Sequence, residues 1–407
     1  MTLSKNSCDV VVFSHLRWDL VFQRPQHLLT RCARQRRVYF IEEPVFEDHI
    51  LPTLHVATRG DRLHVAVPHL PTGTGPHEVN AQLKRLVDEL VRDRISARYI
   101  AWYYTPMALK FTRHLKPSTV VYDCMDELSN FKAAPPELCM LEDELFRLAD
   151  VVFTGGASLF EHKRAKHSNI HAFASSVDVA HFRKARKICV DPQDHAAIPR
   201  PRMGYVGVID ERFDIELIRG VAEARPHWQI VLIGPVIKID PLSLPRRTNI
   251  HYLGSKLYDE LPSYLSGWDV ALLPFARNDA TRFISPTKTP EYLAAGRRVV
   301  STSIRDVVRA YGERGLVKIG DDPAAFVGAI ESSMAEQAGG ADWLSRVDEF
   351  LSRTSWDKTF RAMWQLVEAA GEHPSVRRAI RAQDRAVPRA ASGPTLSMGN
   401  VPASSSG

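Results

Sequence analysis

No stretch of the 407-residue chain approaches the roughly 18 consecutive apolar residues of a membrane-spanning helix. The opening segment, MTLSKNSCDVVVFSH, also lacks the charged-then-apolar order and cleavage site of a signal peptide, so a cytoplasmic protein is expected. Cysteine is scarce: Cys8, Cys32, Cys124, Cys139 and Cys189 are scattered, odd in number, and include no Cys-x-x-Cys pair or histidine at zinc spacing. That excludes a disulfide framework or a zinc module and leaves reduced, mostly buried thiols. There is no GxGxxG fingerprint, no RNP-type aromatic pattern and no zinc finger, so neither a nicotinamide or flavin cofactor nor a nucleic-acid partner is expected.

What is present has the balance of a globular enzyme, with 44% apolar and 25% charged residues. The length exceeds what a single core supports, which predicts two α/β domains with a cleft between them. In the first half, DVVVFSH, RVYFIEE, RYIAWYY, TVVYD and ADVVFTGG alternate with amphipathic stretches. In the second, MGYVGVID, QIVLIGP, NIHYLG, DVALLPF and RRVVSTS do the same. This is the rhythm of two doubly wound parallel sheets. The Pro-rich, polar segment 189–202 reads as the linker, which places a first domain at 1–198 and a second at 199–354. In 355–372, Trp356, Phe360, Met363, Trp364 and Val367 share one helical face, which either crosses back to the first domain or packs on its own. The formal charge of +6 is densest at Arg377, Arg378, Arg381, Arg385 and Arg389. The stretch 373–407 is expected to be a disordered basic tail suited to anionic ligands or lipid headgroups.

The most informative segment is ISPTKTPEYLAAGRRVVST. Ser285 is placed to cap a helix with Pro286 in its first turn, and Gly296 to supply a left-handed exit before the next strand. Such a helix start, at the carboxyl end of DVALLPF, is where open α/β sheets hold phosphates. Lys288 opposes the helix dipole unless an anion is bound, and Glu291, one turn on, shares its face. From spacing alone, a diphosphate and ribose site and an ordinary surface ion pair fit equally.

The stretch SPTKTPEYLAAGRRVVST, preceded by WDVALLPF, resembles the donor-site motif of GT-B glycosyltransferases of the family-4, or glycosyl transferases group 1, type. The similarity extends from FSHLRWDLVFQRPQHLL through VVYDCMDELSNF and ADVVFTGGASLF to the SWDKTF helix, and is strongest over 203–302. The resemblance implies a GT-B fold of two Rossmann-like domains facing a cleft, a nucleoside-diphosphate sugar as co-substrate and a role in polysaccharide biosynthesis. It implies donor binding by Ser285, Pro286, Thr287, Lys288 and Glu291, with Glu291 holding the ribose, and leans toward retention of anomeric configuration. Gly207 and Arg212 match the loop that approaches and neutralises the diphosphate, while Gly234, Gly254 and Ser255 match the stretch lining the base. One departure is Phe283, which stands where the family often has the first glutamate of an E-x7-E pair. No Asp-x-Asp triplet, the metal-holding motif of the other major glycosyltransferase fold, occurs, so metal-free catalysis is expected.

Arg17, Gln23 and Arg24 follow the first strand and are expected at the acceptor side of the cleft, and His15 beside them is a catalytic candidate, equally readable as a turn or buried histidine. Asp123 and Asp126 follow another strand. One of them is expected to act as general base, and either could instead cap a turn. With a lipid-linked acceptor, peripheral contact with the inner face of a membrane is expected. The competing functions are a sugar-nucleotide epimerase or hydrolase of the same fold, and a noncatalytic carbohydrate-binding protein, which Phe283 favours.

Overall fold

The computed structural model describes residues 8–188, 190–336 and 340–372. The expectations for Cys189 and for the tail 373–407 lie outside them. In chain order the first nine strands are β1 (Asp9–Phe13), β2 (Val38–Ile41), β3 (Val45–Glu47), β4 (Thr53–Gly60), β5 (Leu63–Pro71), β6 (Tyr99–Tyr103), β7 (Thr119–Cys124), β8 (Val151–Thr154) and β9 (Ile170–Ala172). They form one sheet in the order β3-β5-β2-β1-β6-β7-β8-β9, with β4 added antiparallel to β5. Central strands such as DVVVF are buried at every position, as parallel strands covered on both faces must be. The second sheet comprises β10 (Arg202–Val206), β11 (Gln229–Ile233), β12 (Ile250–Tyr252), β13 (Val270–Leu273), β14 (Arg298–Ser301) and β15 (Val317–Ile319). Its order is β12-β11-β10-β13-β14-β15, parallel throughout.

Both sheets reverse direction of winding beside a central strand: β1 lies between β2 and β6, and β10 between β11 and β13. Loops leaving the carboxyl ends of β1 and β10 therefore diverge from those of their neighbours and open a crevice in each domain. Those loops carry His15 to Arg24 and Gly207 to Asp214.

The helix Trp356–Glu372 crosses back to the first domain. Trp356, Met363, Trp364 and Val367 enter the core built on Val10, Val12, Leu28 and Phe40, and Asp357 pairs with both Arg31 and Arg34. By contrast, Trp343, Val347 and Leu351 of the preceding helix pack in the second domain. Val177, Phe182, Ala185 and Ile198 already belong to that second core, so packing crosses between domains soon after β9, earlier than the junction expected near residue 198. A few apolar side chains in short helices and the loops beside them carry this contact, and they leave no periodic signal.

His27 sits in this crossing, 3% exposed and stacked on Trp356 with ring centroids 4.5 Å apart. Burial, with Arg31 nearby, lowers its pKa to about 2. Because the unfolded chain then binds the proton that the folded chain refuses, stability is retained above about pH 6.5 and lost as pH falls below it, by up to ~1.4 kcal/mol per unit. Urea titrations between pH 7 and 5 should show this slope, and His27→Phe should flatten it by one proton. An unchanged slope would mean that His27 is not held neutral.

Candidate active site

Three contiguous lobes occupy the cleft between the two sheets. The central lobe, about 840 Å³, takes Lys288, Ser285, Pro286, Thr287, Gly207 and Arg212 from the second domain, and Gln23, Arg24 and Asp126 from the first. A second lobe, about 1080 Å³, shares Gly207 and Lys288 with it and extends over Gly234, Ser255 and Tyr258. A third, about 1310 Å³, shares Gln23, Asp126 and Arg212 with the central lobe and reaches His15, Arg17, Lys132 and Lys238. Lys288 thus stands at the joint of the first two lobes, and Asp126 at the joint of the first and third.

The helix after β13 begins later than its sequence suggests. It spans Lys288–Ala294 with Thr287 as N-cap and no side-chain cap, so Ser285 is not the cap and Pro286 precedes the first turn. The Ser285–Pro286–Thr287 run instead forms a non-helical lip on the central lobe. The N–H groups of Ser285, Thr287 and Lys288 have no backbone acceptor among the described residues, so they can donate to a ligand. Gly296 does exit with φ +74°.

Lys288 Nζ meets Glu291 Oε2 at 2.6 Å. Glu291 is 3% exposed and does not line the cleft; it lies beneath Lys288, and burial pushes its carboxyl pKa up against the pull of that lysine. Arg212 is held by Asp210, Nε and Nη2 both donating to the carboxylate, while its Nη1 has no hydrogen-bond partner among the described residues. Its guanidinium lies 5.4 Å from the ring centre of Phe131. Gly234 has φ +139°, and a Cβ there would lie 1.9 Å from the carbonyl oxygen of Gly207, so glycine is required for the two loops to meet. Gly254, at φ +66°, does not reach the cleft; its carbonyl accepts from the Gly234 N–H and turns the chain toward Ser255.

On the first-domain side the two aspartates separate. Asp123 is fully buried and bound by Arg24, with Nη2 at 2.9 Å and Nε at 3.1 Å, while Arg24 Nη1 donates to the Phe173 carbonyl. Asp123 is therefore no general base, and Arg24 is spent on structure although it forms part of the cleft wall. Arg17 is likewise committed, to Glu42 and to the Glu43 and Pro44 carbonyls. Asp126 differs: its carboxylate has no hydrogen-bond partner among the described residues and borders two lobes. Desolvation raises its pKa, with Arg212 opposing and Asp210 reinforcing. His15 lines the third lobe, and burial with Lys238 lowers its pKa to about 4, so the imidazole is neutral at pH 7.

Phe283 is absent from the walls of the cleft lobes. It packs into the first domain's core and stacks on His162 with centroids 4.4 Å apart. The residue in place of the family's first glutamate thus joins the domains.

The sequence pattern of the family described as glycosyl transferases group 1 matches residues 200–336, the portion that supplies the second domain's share of the cleft. The second domain carries the group 1 glycosyltransferase pattern. Its sequence is 24% identical over 309 residues to TuaH of Bacillus subtilis (strain 168), assigned as a teichuronic acid biosynthesis glycosyltransferase; the match covers 69% of this chain and 75% of that one. In fold, the glycosyltransferase is similar to sucrose-phosphate synthase from Thermosynechococcus elongatus (TM-score 0.64, 14% identity, 92% of this chain and 100% of the other). It is also similar to HepE of Anabaena, solved in complex with UDP and glucose (TM-score 0.61, 12% identity, 89% and 99%). These likenesses show the GT-B fold. Within the glycosyltransferase's cleft, sequence reasoning missed Tyr258, stacked between Phe22 of the first domain (4.5 Å) and His181 (4.3 Å). It also missed Lys132 and Lys238. Nothing in their local sequence sets these residues apart from surface positions. No helix among the described residues is long and apolar enough to cross a membrane.

Proposed function

We propose that this glycosyltransferase moves a sugar from a nucleoside-diphosphate sugar to a hydroxyl of a glycan, lipid-linked or small-molecule acceptor, without a metal ion. The observation that carries this is the position of Lys288, shared by the two lobes that would receive the base and the transferred sugar. The diphosphate would lie at their joint, against Lys288, the free Nη1 of Arg212 and the unpaired amides of the Ser285–Lys288 lip. Those donors would stabilise the departing diphosphate as charge develops on it. The base would lie against Gly234, Ser255 and Tyr258. An anion drawing Lys288 away would free Glu291 to accept from a ribose diol. The acceptor hydroxyl would enter from the third lobe, where Asp126 can take its proton and neutral His15 can hydrogen-bond the sugar. TuaH's assignment to teichuronic acid biosynthesis supports a role in building a polymer of that kind. The reading is tested by incubating the protein with UDP-, GDP- and ADP-sugars, with and without EDTA, and following nucleoside-diphosphate release. One base should be preferred and EDTA should have no effect. Absence of release from every donor would refute the transfer reaction, and loss with EDTA would refute metal independence.

A further inference from the structure

A fourth pocket, partly open to solvent, lies in the first domain beside the third lobe and shares Glu43, Thr105 and Met107 with it. It opens at the carboxyl ends of β1 and β2, the ligand-binding edge of such a sheet. Its walls are Phe13, Ile41, Phe46, Leu83, Met107 and Phe111. Most polar side chains bordering it are already engaged, the Ser14 and Thr105 hydroxyls accepting from the Leu16 and Met107 N–H groups. Glu42 accepts from Arg17 and the Trp18 N–H, Lys110 pairs with Glu137, and Asn80 donates to the Pro76 carbonyl. Among its described carboxylates, only Glu43, on the side facing the third lobe, has no hydrogen-bond partner for its side chain. A second saccharide would need several convergent free polar groups here. An alkyl chain needs none.

We propose that this gallery receives the aliphatic chain of an amphipathic acceptor whose reacting hydroxyl lies in the third lobe. The inference rests on the transferase reading for the acceptor's position and names its class, a saccharide or alcohol carried on a lipid chain. Phe46, 48% exposed, stands at the mouth, where the remainder of the chain would leave.

Calorimetric titration with methyl, hexyl, octyl and decyl β-D-glucopyranosides below their micellar concentrations tests it. In the native protein affinity should rise with chain length, by up to roughly fourfold per methylene, until the gallery is filled. Val79 also lines the gallery, and Val79→Trp, which fills it, should abolish the gradient while leaving nucleoside-diphosphate affinity and thermal unfolding unchanged. Phe46→Asp, at an exposed position that does not endanger folding, should weaken the decyl compound about tenfold. Equal affinities for methyl and decyl glucosides, or a gradient that survives both variants, would overturn the proposal. So would phosphatidylglycerol-vesicle binding lost in Phe46→Asp with no gradient among the free glucosides, since that would assign Phe46 to a membrane contact instead. The nucleotide titration is a separate arm: its failure would sink the donor assignment, whereas a chain-length gradient would still stand.

Discussion

Lys288→Ala is expected to weaken binding of the preferred nucleoside diphosphate by about 100-fold, equivalent to about 2.7 kcal/mol, measured by calorimetry. The size follows from removing a charge-assisted donor at the joint of two lobes, which leaves Arg212 and the lip amides to hold the diphosphate. The same change strips Glu291 of its partner at 2.6 Å. A carboxylate 3% exposed is then left without its cation, and stability should fall by roughly 3 kcal/mol at neutral pH. The pH dependence has a definite sign. Burial raises the Glu291 pKa, and losing the lysine raises it further, so the folded variant binds a proton more tightly than the unfolded chain. Its stability should therefore decline as pH rises from the ordinary carboxylate value through the raised one. Lys288→Ala/Glu291→Ala should recover much of the stability and none of the affinity. Recovery of both would make the pair an ordinary structural contact.

Asp126→Asn is expected to lower kcat by about 10²- to 10⁴-fold while changing donor affinity less than twofold, because the carboxylate would act on the acceptor hydroxyl and not on the diphosphate. Its raised pKa places the acid limb of kcat/KM above the usual carboxylate range, with activity falling as pH drops through that value and protonates the base. The asparagine variant should lose this limb. Asp123→Asn is the informative contrast. It breaks a buried pair with Arg24, so it should cost stability first and activity only through misfolding. If both variants lost activity in proportion to lost stability, Asp126 would be structural.

The two sheets were legible because their strands are near-continuous apolar runs, DVVVF and VALL among them, separated by helix-length segments. The Ser285–Glu291 segment was legible as a site because strand, lip, helix and Gly296 follow in order. Its helix start was misread by two residues, since a serine before a proline carries a capping signal whether or not the hydroxyl turns inward. Other errors concern partners distant in sequence. Asp123 and Asp126 look alike as letters, and only the fold brings Arg24 onto the first and leaves the second facing the cleft. Phe283 read as a loss from the donor site. The fold turns it away from the cleft lobes and onto His162, so its identity removes nothing from their walls. Tyr258 and Phe22 meet across the domains, a pairing that neither segment encodes alone.

The central claim is that a nucleoside diphosphate lies at the joint between the first two lobes. A crystal structure with the preferred nucleoside diphosphate tests it most directly. The terminal phosphate should lie within hydrogen-bond distance of Lys288 Nζ and the Thr287 or Lys288 amide, with the base beside Tyr258 and Gly234. A nucleotide bound elsewhere, with Lys288 still closed on Glu291, would contradict it.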